Sequence, residues 1–287
     1  MPPKKTAATR KLSKKKATAS KRSQRLVRIL VIAFLVLITG YSGLLLVGCA
    51  VSNRLIFHPP EPSYTADAPG LVKLPLKTGG EIPAFWTETP GAKWTVIYFH
   101  GNAMDIGHSR QSVSFLQKQG CSVLTVEYPG YGPDARSAPS EEGCYAAADS
   151  AYDYLRTTRG IPAGRIALYG FSLGTGVATE LASRQPVGAL ILEAPFLSTF
   201  RVVTKVKVVP LDRFDSLAKI GKVKCPLFVI HGTADNIVPY SHGTALFAAA
   251  GAAVRKQFYK VEGGSHINLT SQEKSRKAIA AFLAASE

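Results

Sequence analysis

Apolar and polar positions fall into two regimes along the chain. Residues 29–51 hold no charged side chain and read ILVIAFLVLITGYSGLLLVGCAV, a run long enough to cross a bilayer core as a helix. From about residue 71 onward, short continuous apolar runs alternate with stretches whose apolar residues recur every three or four positions. The short runs, at 71–78, 82–88, 95–99, 122–127, 165–169, 188–192, 226–230 and 257–261, predict strands. The periodic stretches, at 106–119, 140–158, 173–184, 240–250 and 271–285, predict helices. Gly79-Gly80 joins the first two strand runs as a hairpin signal, and Ser140, followed by Glu141 and Glu142, reads as a helix N-cap. Continuous apolar runs, unlike alternating ones, belong to strands covered on both faces. The expected fold is therefore α/β, a mostly parallel sheet with helices on both faces and antiparallel pairing at one edge.

Charge changes the picture only at the N-terminus. The 287 residues carry a net charge of +16. Residues 1–28 hold 11 of the 35 basic side chains and no acid, which leaves 24 basic against 19 acidic residues for the remainder. The folded part is only mildly basic, so no nucleic-acid partner is expected. The tail is rich in Lys, Ala, Ser and Thr and lacks aromatics; it is expected to be disordered, because it has too little apolar surface to bury.

A basic tail before an apolar run predicts a single-pass anchor at 29–51, in contact with membrane lipid, its tail cytoplasmic and residues 52–287 on the other side. A second reading stays open. Leu46-Val47-Gly48-Cys49 resembles a bacterial lipobox, in which case the leader is removed and Cys49 is lipidated. The other cysteines, Cys121, Cys144 and Cys225, form no C-x-x-C pair with one another or with Cys49, which argues against structural zinc. Cys121 and Cys225 adjoin apolar runs and read as small core residues.

The chemistry gathers around Gly170-Phe171-Ser172-Leu173-Gly174, a G-x-S-x-G pattern between a strand and a helix. That context puts a serine hydroxyl on a sharp turn at a helix N-terminus, where developing negative charge is favoured. A serine needs a base. The candidates are His58, His100, His108, His231, His242 and His266. His266 follows the last strand, as the order Ser…Asp…His requires. Asp235 follows the preceding strand and is the favoured acid over Glu193, Asp212 and Asp215. Two backbone donors are expected for an oxyanion: the N–H of Leu173 and that of Asn102, in the loop after the third strand.

Taken together, these segments resemble the α/β-hydrolase superfamily, in its serine-aminopeptidase-like, membrane-anchored branch. The motifs are FHGNA at 99–103, EYPGYG at 127–132, PSEEG at 139–143, YGFSLG at 169–174, EAPF at 193–196, DRFDS at 212–216, HGTADNIVP at 231–239 and GGSH at 263–266. They run in the expected order from residue 53 to the C-terminus. That branch also contains eukaryotic α/β-hydrolase-domain proteins, some of which remove palmitoyl groups. The resemblance implies an eight-stranded sheet, a triad of Ser172, Asp235 and His266, and neither cofactor nor metal. Pro133-Asp134-Ala135-Arg136 departs from the Ser/Gly-rich segment usual after GYG. The cap, at 197–224, is short, so the site should be open. In it Val202, Val203, Val206, Val208 and Val209 alternate partly with Arg201, Lys205 and Lys207, which reads as packing over the sheet edge or as a surface for a membrane or an acyl chain.

The function expected is hydrolysis of a carboxylic ester or thioester in a small-molecule or acylated substrate, by a monomer. An amide hydrolase and an inactive hydrolase-fold binding protein at a membrane are the alternatives.

Overall fold

The computed structural model describes residues 7–133, 137–204 and 212–286. Helix α1 (Ala7–Ile56) is continuous through the basic segment, where disorder was expected. Ala, Lys, Arg and Leu are strong helix formers, and neither Gly nor Pro interrupts residues 7–39. Residues 21–43 of α1 are exposed throughout, so backbone hydrogen bonds rather than packing define this helix. Its stretch Lys21–Gly43, mean hydropathy 2.1, is long and apolar enough to cross a membrane by length and composition. The chain divides between Ser52 and Asn53 into two units.

The second unit is built on one eight-stranded sheet. Its strands are β1 (Leu71–Pro75), β2 (Glu81–Thr87), β3 (Trp94–Phe99), β4 (Cys121–Val126), β5 (Ile166–Phe171), β6 (Ala189–Glu193), β7 (Leu227–Gly232) and β8 (Lys256–Val261). They lie in the order β1-β2-β4-β3-β5-β6-β7-β8. The pairs β1–β2 and β2–β4 are antiparallel, and every other pair is parallel. Gly79 and Gly80, at φ 96° and 80°, make the hairpin between β1 and β2, a conformation that side chains with a Cβ resist.

The pleat sends alternate residues of each apolar run into two cores. On one face Ile97, Phe99, Leu168, Leu190, Leu192 and Val229 pack together. They meet Ala147 and Ala151 of α3 (Glu141–Asp153), Val177 and Leu181 of α4 (Leu173–Arg184), Ile220 of α6 (Ser216–Ile220) and Leu246 of α7 (Tyr240–Ala249). On the other face Val96, Tyr98, Tyr169, Ile191, Phe228 and Ile230 meet Leu116 of α2 (Arg110–Lys118) and Ile279, Phe282 and Leu283 of α8 (Glu273–Ala284). Both faces are thus covered, as the unbroken apolar runs require. Leu181 and Leu190 are fully buried, and truncating either to Ala would cost about 2–5 kcal/mol.

Several boundaries shift for local reasons. The helix expected at 106–119 opens with a 3₁₀ turn, Ile106–Ser109, capped by Asp105, which accepts from His108 N at 3.1 Å. Ser140 caps α3 by accepting from Gly143 N at 3.0 Å, and that helix ends in a π turn, Tyr154–Thr158. The cap at 197–224 holds α5 (Thr199–Thr204) and α6. Val202 packs on the core. Lys205, Val206, Lys207, Val208 and Val209 lie outside the described residues, as do Asp134, Ala135 and Arg136. Cys121 and Cys144 are buried and Cys225 is half-buried.

Candidate active site

Ser172 occupies the turn between β5 and α4 at φ 51°, ψ −115°, a backbone conformation that costs a residue with a Cβ. The flanking glycines answer to sterics. A Cβ on Gly170 would lie 2.4 Å from Gly174 O, and one on Gly174 would lie 2.1 Å from Phe99 O. Both clashes are with backbone, so the turn can be this tight only without those side chains. The turn is tied down by Ser172 N donating to Glu193 O at 2.9 Å and by Thr175 N and Oγ1 donating to Ser172 O at 2.9 and 2.6 Å. Helix α4 begins at Leu173, whose amide therefore lies in the first turn, where the helix itself supplies no acceptor.

The Ser172 hydroxyl donates to His266 Nε2 at 2.9 Å, and His266 Nδ1 donates to Asp235 Oδ2 at 2.8 Å. Three separate strand ends supply these groups. The loops after β7 and β8 meet because Gly232 allows it: a Cβ there would lie 2.1 Å from Gly264 O. Ala234 N donates to Gly264 O at 3.0 Å and Gly263 N to Thr233 Oγ1 at 2.8 Å, stitching the two loops together. Leu269, fully buried in the second core, anchors the loop that carries His266. The Phe171 ring lies 5.4 Å from the His266 ring.

Asp235 is an ionised acceptor by construction. Its Oδ1 accepts from Ile237 N at 2.9 Å and Val238 N at 2.8 Å. Burial pushes its carboxyl up, but hydrogen bonds from His231 and His266, the charge His266 can carry and the Val238 amide outweigh it and hold Asp235 well below the usual carboxylate range.

The rival acids are engaged elsewhere. Glu193 is buried and accepts from the Tyr169 hydroxyl at 2.7 Å; burial raises its carboxyl, against the pull of hydrogen bonds from Tyr169 and Thr270. Asp212 accepts from Ser198 Oγ and from Phe200 N at 3.2 Å, and Asp215 caps α6 through Ala218 N at 3.1 Å. The other histidines also stand apart from the serine. His108 pairs with Asp105 at 2.7 Å, His242 Nδ1 accepts from Leu197 N at 3.4 Å, and His58 Nδ1 lies 3.1 Å from Ile56 O.

Asn102 has a side chain committed to structure. Its Nδ2 donates to Ile56 O at 2.5 Å, and its Oδ1 accepts from His58 N at 3.0 Å and the Tyr131 hydroxyl at 2.7 Å. This fixes the loop after β3 while leaving the Asn102 backbone to other uses. Beneath that loop is a buried network not anticipated in the sequence. His100 Nε2 lies 2.8 Å from Glu127 Oε1 and Nδ1 lies 2.8 Å from Gly101 O. Glu127 also accepts from the Tyr64 hydroxyl at 3.0 Å and Ile106 N at 3.2 Å. The signal was present as a histidine and a glutamate at the ends of adjacent strands β3 and β4.

A cleft of about 250 Å³ is lined in part by Met104, Phe115, Phe171, Ile267, Tyr169 and Glu193, with Ser172, Asp235 and His266 outside its lining. Phe171 and Ile267 are the chain neighbours of Ser172 and His266. Among the described residues no group of three or more His, Cys, Asp or Glu is arranged to hold a metal ion.

Comparison with known proteins agrees with this architecture. A family model described as the alpha/beta hydrolase fold matches residues 95–215. The alpha/beta hydrolase domain-containing protein 17C of Xenopus tropicalis is 32% identical over 270 residues, covering 77% of this chain and 86% of that protein. The alpha/beta hydrolase domain-containing protein aho-3 of Caenorhabditis elegans is 32% identical over 255 residues, covering 77% and 74%. Among solved structures, the Pyrococcus furiosus esterase Pf2001 superposes with a TM-score of 0.68 at 17% identity, over 79% of this chain and 99% of that one. The chain belongs to the α/β-hydrolase superfamily, among its alpha/beta hydrolase domain-containing proteins.

Proposed function

We propose that this protein is a membrane-anchored serine hydrolase that cleaves carboxylic esters or thioesters through an acyl-enzyme. The observation that carries the reading is the unbroken hydrogen-bonded series from Ser172 Oγ to His266 at 2.9 Å and from His266 to Asp235 at 2.8 Å, set on a turn whose backbone conformation is costly for serine. Ser172 Oγ attacks the acyl carbonyl carbon as its proton passes to His266 Nε2. Asp235 holds the imidazole with its proton on Nδ1 and stabilises the imidazolium. The carbonyl oxygen, now negative, accepts from the N–H groups of Leu173 and Asn102. His266 returns the proton to the leaving alcohol or thiol. It then takes one from water, which attacks the acyl group and releases the acid and free Ser172.

Esters and thioesters are the favoured substrates because their alcohol or thiol leaving groups depend less on the proton from His266 than an amine does. The cleft lined by Phe171 and Ile267, apolar at Met104 and Phe115 and polar at His108, Gln111 and Arg276, is the candidate place for an acyl or other apolar substituent. Residues 29–51 serve as the anchor, with the basic segment before them on the cytoplasmic side and the catalytic unit on the other.

The test is a fluorophosphonate probe on the purified full chain in detergent, with the adduct located by mass spectrometry. A series of p-nitrophenyl esters of increasing chain length, run on wild type and Ser172→Ala, accompanies it. An adduct on Ser172 and turnover lost in Ser172→Ala are expected. A wild-type chain that neither labels nor turns over any ester would defeat the proposal.

A further inference from the structure

His231 is the last residue but one of β7, four positions before Asp235. Its Nε2 lies 3.0 Å from Val238 O and 3.3 Å from Asp235 Oδ2. Both are acceptors, so Nε2 carries the ring proton; it donates to Val238 O and its positive end faces Asp235 Oδ2. The other nitrogen, Nδ1, is buried and has no hydrogen-bond partner among the described residues. The ring is pressed against α7 at that edge: a Cβ on Gly243 would lie 2.3 Å from Nδ1. An unpartnered buried nitrogen disfavours folding, so what the ring contributes is made at Nε2.

We propose that His231 is a positioning residue for Asp235. The carboxylate accepts three hydrogen bonds, from Ile237 N and Val238 N at Oδ1 and from His266 at Oδ2, and His231 Nε2 stands 3.3 Å from that same Oδ2. His231 donates to Val238 O, so one ring braces the carboxylate and holds the far end of its own loop. Rotating Asp235 away from His266 gives up the His231 contact as well as the amide pair. Without His231, Oδ2 keeps His266 as its one polar neighbour of the two, and the loop from 235 to 238 loses its tie to β7. His231 therefore acts on the reaction only through Asp235, by keeping Oδ2 aimed at His266 Nδ1. Gly243 takes part indirectly, since its missing side chain makes room for the ring.

This role rests on the serine-hydrolase reading, and the experiment separates the two. The rate of fluorophosphonate labelling, and kcat and KM for a p-nitrophenyl ester, are measured on the full chain in detergent. His231→Leu should lower the labelling rate and kcat about tenfold, the loss of the Val238 hydrogen bond that holds the Asp235 loop together with the polar contact to Oδ2, with KM within about twofold. His231→Gln, whose amide N–H reaches toward the same acceptors, should stay within about threefold of wild type. In an Asp235→Asn background, His231→Leu should produce no further loss. Gly243→Ala, which drives a Cβ into the ring, should label slowly with His231 intact, and it supplies the comparison with His231→Gln if the leucine variant does not fold. The role is overturned if His231→Leu labels at the wild-type rate, if the Leu and Gln variants lose equally, if the loss recurs undiminished without Asp235, or if Gly243→Ala matches His231→Gln. A wild type that does not label overturns the hydrolase reading and this role together.

Discussion

The backbone of Ser172 offers a measurement of what the turn costs. At φ 51°, ψ −115° it lies where L-residues are strained by roughly 1–3 kcal/mol, and glycine relieves that strain. Comparing Ser172→Gly with Ser172→Ala isolates the backbone, because both lack the hydroxyl. From a central strain of about 2 kcal/mol, the greater freedom of glycine in the unfolded chain removes about 0.4–1 kcal/mol. Losing a half-buried methyl removes about 0.4 kcal/mol more, half the value of a fully buried one. The glycine variant should therefore be more stable by about 1 kcal/mol. In a domain of this size that is a rise of about 2–4 °C in Tm. Urea unfolding and calorimetry of the two full-length variants in the same detergent would show it, and both should be inert to fluorophosphonate. If Ser172→Ala proves equal to or more stable than Ser172→Gly, the strain argument is wrong and the turn is not held against its own preference.

The acids separate by substitution. Asp235→Asn should cut the labelling rate by about 10³–10⁴, as expected when the histidine loses the partner that sets its tautomer, whereas Glu193→Gln should keep most of it. Because burial raises the Glu193 carboxyl, its ionisation weakens the fold once the pH exceeds its unfolded value, so Glu193→Gln should be at least as stable as wild type in urea at pH 7. Asp235 has the opposite sign. Its depressed carboxyl contributes stability that is complete above its unfolded value of about 3.9 and is lost as the pH falls through the folded value, so the stability gap between wild type and Asp235→Asn should narrow between pH 7 and pH 3. Gly174→Ala, which places a Cβ 2.1 Å from Phe99 O, should lower stability by about 1–3 kcal/mol and suppress labelling, because only backbone movement relieves that contact; unchanged melting and labelling would contradict the packing described at the turn.

Much of this protein was readable from local pattern. Unbroken apolar runs of five or six residues demand cover on both faces, and β3 to β7 received it. The G-x-S-x-G pentapeptide between a strand and a helix announced the turn, since no other residue fits so close to Gly174 O and Phe99 O. The Ser…Asp…His order singled out His266, which lies 94 residues from Ser172 in the chain and 2.9 Å from it in space. Local pattern misjudged the basic segment, where low apolar content argued for disorder; intrinsic helix propensity, which needs no core, decided from Ala7 onward. The choice between Asp235 and Glu193 had a different character. Glu193 ends one parallel strand and Asp235 follows the next; the sequence favoured Asp235 for its loop without showing where either carboxylate points. Only the tertiary structure turns Glu193 toward Tyr169 and Asp235 toward His266, because the direction of a side chain at a strand end depends on the loops packed around it. The second histidine on Asp235 and the His100–Glu127 pair were hidden for the same reason. The partners of a buried polar group are set by which chain ends meet, and that is a property of the assembled sheet rather than of any segment within it.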